Sequence, residues 1–173
     1  MSQHIEWLNL IDRSGAFLEP GVLDDALPQG LEGVDSERRR NLLSAYDEWR
    51  EAVDACDADA EALHQAWIDF VLKAFLEYDD RALRRGESVP ESLSLSVAEH
   101  GGIVRPGMAV MKGDSPQLLI DVLPPDTDLE SIRSYEGWNT SALDRMIALC
   151  RGAKVTIGLV TNGERWLVVH VPE

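Results

Sequence analysis

The chain has 173 residues, 45% hydrophobic and 27% charged, which is a globular balance rather than a disordered one. Sixteen Lys and Arg against 31 Asp and Glu leave a formal charge of −15, concentrated in residues 1–100, which makes that first part a poor candidate for a DNA-backbone surface because phosphate binding needs clustered positive charge. No apolar run approaches the roughly 18 residues that span a bilayer, the opening Met1–Glu6 has no signal-peptide pattern, and Cys56 and Cys150 give neither a zinc spacing nor a disulfide framework. The expectation is a reduced, cytoplasmic protein with no membrane partner.

In chain order, Ile5, Trp7, Leu8, Leu10 and Ile11 predict a short helix that ends before Ser14-Gly15. A second apolar turn, Val22–Leu27, lies between Pro20-Gly21 and Pro28-Gln29-Gly30. A longer helix is expected from Ser36, read as its N-cap, because Leu42, Tyr46, Trp49 and Val53 recur at steps of three and four. After Asp57-Ala58-Asp59, another runs from about 60 to 78. Leu63, Trp67, Phe70, Val71, Ala74, Phe75 and Tyr78 give it a broad apolar face, read as core. The polar stretch from Asp79 to Pro90, with Arg81, Arg84 and Arg85, reads as a solvated helix end.

Beyond Pro90 the period falls to two. Leu93, Leu95 and Val97 alternate with serines as a first strand, and Gly101-Gly102 turns the chain. Met108–Met111 is a second strand, Lys112–Pro116 a turn, and Gln117–Leu123 a third strand apolar enough to be central. Asp126, Asp128 and Glu130 lack the glycine of a calcium loop, since Ser131 stands at its sixth position, and read as an acidic loop entering a helix N-terminus. Ser141 with Asp144 resembles a capping box, opening a helix that carries Leu143, Met146, Ile147 and Cys150 and is closed by Gly152. Val155–Val160 and Arg165–Val171 flank Asn162-Gly163 as a hairpin.

The pattern is α+β, or mixed α/β: a helical region over 1–57, then an α/β core over 58–173. Residues 1–100 carry 22 acids and 9 bases, and residues 101–173 carry 9 and 7. The acidic first part reads as a solvated helix surface or as a dock for a basic partner. His4, His64, His100 and His170 are scattered and support no catalytic pairing; His170 is expected on the solvent face of the last strand. Glycine-rich phosphate loops and nucleophile motifs are absent from the sequence.

The order helix, three strands, helix, strand over about 103–169 resembles the restriction-endonuclease-like, or PD-(D/E)xK, superfamily. Thr161-Asn162-Gly163 with Trp166 is similar to a strand-turn-strand at the end of the nuclease-like region of single-chain restriction-modification enzymes. In those proteins that region precedes an adenine-specific DNA methyltransferase domain. The opening, Trp7 to Leu31, resembles that of large methyltransferases of DISARM- and BREX-like phage-defence systems. The resemblance implies Mg²⁺ held by two acids, with a lysine beside the attacking water. Here the first acid position is Gly107, the second is Asp121, and the lysine position is Leu123. Asp114, Lys112 and Lys154 are the residues left to restore such a site. The S-adenosylmethionine loop and the adenine-holding tetrad of the methyltransferase are missing from this chain.

The expectation is therefore a non-catalytic N-terminal scaffold or interaction module of such a methyltransferase, with a degenerate nuclease site and neither S-adenosylmethionine nor Mg²⁺ of its own. Its partner would be the methyltransferase domain or a defence-system subunit, with DNA reached only through the larger assembly. The alternatives are a metal-dependent nuclease rearranged around Asp114 and Asp121, and a stand-alone acidic interaction or regulatory protein. Trp166 is expected under the terminal hairpin against the 141–151 helix, and Leu123 against the core or a closed former cleft.

Overall fold

The computed structural model describes residues 4–15, 17–97, 102–135 and 138–172. The chain divides into two compact units, Met1–Arg40 and Asn41–Glu173. The first unit holds α1 (Ile5–Leu8) and α2 (Pro20–Ala26), the latter with proline in its first turn, where no donor is lost. His4 ties them. Its Nδ1 accepts from the Trp7 indole at 3.2 Å, so Nε2 carries the proton and donates to the Leu27 carbonyl at 3.1 Å.

A 19-residue helix, α3 (Ser36–Asp54), follows. Its cap is Asp35, whose Oδ1 accepts from the amides of Glu37 at 2.9 Å and Arg38 at 2.8 Å. Ser36 is thus the first helical residue and not the cap. Next comes α4 (Ala60–Asp69), which passes into a π-helical turn, Phe70–Phe75. Helical structure ends three residues earlier than the expected 78.

The strands are β1 (Leu83–Arg85), β2 (Leu95–Val97), β3 (Gly102–Val104), β4 (Met108–Lys112), β5 (Ser115–Val122), β6 (Arg133–Tyr135) and β7 (Trp138–Thr140). After them come α5 (Ala142–Ala153), β8 (Ile157–Thr161) and β9 (Trp166–His170). The protein is α+β, with a mixed five-stranded sheet in the order β1-β4-β5-β8-β9. The β1–β4, β4–β5 and β8–β9 pairs are antiparallel; β5 and β8 are parallel, joined by a crossover that contains α5. β2 with β3 and β6 with β7 form separate two-stranded sheets.

Each face of the main sheet has its own core. One face packs Ala109, Leu119, Val160 and Val169 against Met146, Leu149 and Cys150 of α5. Gly158 makes this approach possible, since a Cβ there would stand 2.5 Å from Met146 Cγ. The other face packs Val110, Ile120 and Leu159 against Trp49, Trp67, Ile68 and Leu72. No helix among the described residues is long and apolar enough to cross a membrane.

Several elements differ from the sequence reading. The polar stretch from Asp79 to Pro90 is not a helix end but contains β1, because Leu83 is buried opposite Val110 and fixes an edge strand there. The strand expected over 92–97 is only Leu95–Val97 and belongs to the small β2–β3 sheet. Gly101 and His100 lie outside the described residues. The acidic loop leads into β6, and α5 starts only after Ser141. Gly152 remains inside α5, where a Cβ would stand 2.7 Å from Leu95 Cδ1; the left-handed cap is Lys154, at φ 54°. Trp166 lies on the face opposite α5, with Trp49 and Trp67. Strand alternation sends Trp166 one way and Val169 the other.

Candidate functional site

The β4–β5 register pairs Met108 with Ile120, so Gly107 and Asp121 meet at the next step of the ladder. Ser141 caps α5: its Oγ accepts from the Asp144 amide at 3.0 Å and donates to Asp144 Oδ2 at 2.8 Å. Arg145 then leaves the first turn of α5 towards the sheet. Its Nη1 donates to Asp121 Oδ2 at 2.5 Å and its Nη2 to the Arg105 carbonyl at 2.9 Å. The Gly107 amide donates to the other carboxylate oxygen, Oδ1, at 2.7 Å. The guanidinium also stands 5.4 Å over the Tyr135 ring, within cation–π range.

Asp121 is 5% exposed. Burial pushes its carboxyl above the ordinary value, and Arg145 and the Gly107 amide pull the other way. Burial, with the Asp121 charge as a second cause, pushes the Cys150 thiol up to about 11, so that cysteine is an inert core residue. Gly107 is exposed, and a Cβ on it would meet Asp121 Oδ1 and the Ile120 carbonyl at an ordinary 3.6 Å. Space does not demand glycine there; the position simply carries no acid.

Leu123 is half-buried against the α5-side core, as expected. Its amide donates to the Thr161 carbonyl at 2.8 Å, and its carbonyl accepts from His64 Nε2 at 3.0 Å. The three restoring residues are not brought to Asp121. Asp114 and Lys112 sit at the far turn of the β4–β5 hairpin, seven or so residues along the strand, about 20 Å away. Lys154 caps the opposite end of α5, roughly 13 Å along the axis from Arg145. One carboxylate, already engaged through both oxygens, does not fit the two-acid Mg²⁺ site that the resemblance implies.

The acidic loop is held by arginines. Arg50 reaches Asp126 at 3.0 Å, Glu164 at 3.3 Å and Asp54 at 2.7 Å, and Arg165 reaches Glu130 at 3.0 Å. These pairs are exposed and contribute little individually.

The Thr161-Asn162-Gly163 turn is a buried polar knot. Thr161 Oγ1 accepts from the Gly163 amide and donates to the Arg165 carbonyl, both at 2.9 Å. Asn162 Oδ1 accepts from the amides of Glu164 at 3.0 Å and Arg165 at 2.8 Å, while its Nδ2 donates to the Thr127 carbonyl at 2.9 Å. The Gly163 carbonyl takes the indole N–H of Trp67 at 2.7 Å and of Trp166 at 3.2 Å. Each side chain of the motif is accounted for by this turn.

Sequence reasoning missed Arg145 and His64. Arg145 falls on the stripe of Ala142, Met146 and Leu149, three buried positions of α5. A cation on a core stripe is itself a signal, because it requires a buried acid. No protein family, curated protein or solved structure matches the chain.

Proposed function

We propose that the chain is a non-catalytic scaffold or interaction module of a phage-defence or restriction-modification DNA methyltransferase, working in the cytoplasm. Its nuclease-like core carries an ion pair where a metal would sit. The observation that carries this reading is the Arg145–Asp121 pair at 2.5 Å, set against Gly107. A guanidinium placed on the only buried carboxylate among the described residues competes with any divalent cation. Leu123 beside it supplies no ammonium group. Further support comes from the main sheet, where β1, β4 and β5 are followed by α5 and β8, although α4 and β1 lie outside the 103–169 stretch of the resemblance and the β2–β3 and β6–β7 pairs interrupt the order. The module would place the methyltransferase on DNA or dock a partner subunit. With a charge of −15, its own grip on duplex DNA is weak or absent.

The test is incubation of the chain with supercoiled plasmid and Mg²⁺ or Mn²⁺. No nicking is expected. Cleavage that disappears in Asp121→Ala overturns the reading in favour of a rearranged nuclease, and so does tight duplex binding at physiological salt. The surplus of acids favours one second reading, a stand-alone acidic regulatory protein. A reading frame that continues into an S-adenosylmethionine-dependent methyltransferase selects the first over the second.

A further inference from the structure

The main sheet ends at β9, and its two edges differ. The β1 edge is three residues long and carries Arg84 and Arg85, which discourage added strands. From Trp166 to Val171 the β9 edge has no acid, lysine or proline. The ladder shows which backbone groups face outward. The Asn162 amide donates to the Arg165 carbonyl, and the Val171 amide to the Thr156 carbonyl. Hydrogen-bonded pairs alternate along an antiparallel ladder, so Leu167 and Val169 turn their backbone groups towards β8. Trp166 and Val168 turn theirs away from the sheet.

The side chains of those same two residues line an apolar groove of about 500 Å³. Leu118 and Ile157 form its floor, and Phe75 and Leu76 of the π-helical end form a wall. Val168 is 56% exposed at its outer margin. Edge and groove thus form one surface: outward amides and carbonyls beside a trough for alternate side chains.

We propose that β9 accepts an extended segment of a partner protein as a sixth strand, with apolar residues at alternate positions in the groove and Lys or Arg between them. Charge selects the basic partner. The chain carries −15, and around Tyr78 on the groove wall Glu77, Asp79 and Asp80 stand against Lys73, which already bridges Asp69 and Asp80, and Arg81. At the Trp67 end, Arg50 is shared among Asp54, Asp126 and Glu164, leaving an excess of negative charge. A second copy of the chain would bring the same charge of −15 to the edge and be repelled. The inference does not depend on the methyltransferase reading.

The experiment is a titration of the ¹⁵N-labelled chain with a seven-residue peptide alternating lysine and valine, followed by amide chemical shifts. Two control peptides are used, one with glutamate for lysine and one N-methylated at alternate amides. Val168→Pro removes an outward N–H while sparing the β8 ladder. Val168→Lys retains that N–H but repels a basic segment at an exposed position, and circular dichroism checks the fold of both. The expected result is shifts centred on Trp166 and Val168, with binding weakened about tenfold or more by either control or either folded variant. The proposal is overturned if those amides do not respond at millimolar peptide, or if the glutamate peptide binds equally. A concentration-dependent dimer of the unmodified chain that is lost in the folded Val168 variants also overturns it, giving the edge to a second copy.

Discussion

Gly163 lies against the indole of Trp49: a Cβ built on the glycine would stand 2.7 Å from Trp49 Cζ2. The glycine also has φ +91°, where side chains are strained, and Trp49 is 1% exposed and has no room to retreat. Gly163→Ala should therefore destabilise the second unit by about 2 to 4 kcal/mol, the sum of left-handed strain and overpacking. Urea unfolding followed by tryptophan fluorescence measures it. A loss below about 1 kcal/mol would mean that the turn shifts freely and that its hydrogen bonds do not fix it.

Arg145→Met leaves the Asp121 carboxylate buried without its partner, and should cost about 3 to 5 kcal/mol at neutral pH. Adding Asp121→Leu should recover most of that loss, since an apolar pair of similar volume replaces the ion pair. A double-mutant cycle from urea midpoints reads the coupling. The cost should also depend on pH. The folded-state pKa of Asp121 is raised by burial, and loss of Arg145 raises it further. The folded state then holds the proton more tightly than the unfolded chain. Stability of the variant is greatest below the ordinary carboxyl value and falls as pH rises through it towards the folded value. The penalty of Arg145→Met should accordingly shrink on going from pH 7 to pH 4.5.

The long helices and the terminal hairpin were legible because hydrophobic period and Asn-Gly chemistry are local. So was the apolar setting of Asp121, a lone acid in the run from Leu118 to Leu123. β1 was not legible, because one buried residue, Leu83, carries no period and its partner Val110 lies 27 positions away. The side taken by Trp166 was not legible either. Alternation separates Trp166 from Leu167, but which face receives α5 and which receives α4 is a property of the assembled sheet. Arg145 was readable in principle: a cation on the 142/146/149 stripe and an acid on a central strand imply each other.

His64 gives a second pH dependence, of the opposite sign. Its Nε2–H donates to the Leu123 carbonyl, and its Nδ1 is buried with no hydrogen-bond partner among the described residues. Burial lowers its pKa from the ordinary 6.5. Above that value both states are neutral and no stability is lost; below it the unfolded chain takes up a proton that the folded chain refuses. Stability should fall as pH drops from 6.5 to 5. In His64→Gln this part of the slope should vanish, measured as the difference in melting temperature between the two proteins at each pH. An unchanged slope would place the titration elsewhere.

Gly107→Asp tests whether the site has lost only its groups or also its shape. The new Cβ meets Asp121 Oδ1 at an unstrained 3.6 Å at an exposed position, so the variant should fold. Alone it should bind no Mn²⁺, because Arg145 still holds Asp121 Oδ2 at 2.5 Å. Combined with Arg145→Met, two carboxylates face each other across β4 and β5 with no cation between them. That pair should take up Mn²⁺, seen by loss of the free-ion electron paramagnetic resonance signal and by a melting temperature that rises with Mn²⁺ concentration. Plasmid cleavage should remain absent, since Leu123 supplies no group to activate water. Mn²⁺ binding by the Gly107→Asp single variant would show that the guanidinium does not bar the site. Failure of the folded double variant to bind would show that the strands no longer present the two positions to one ion.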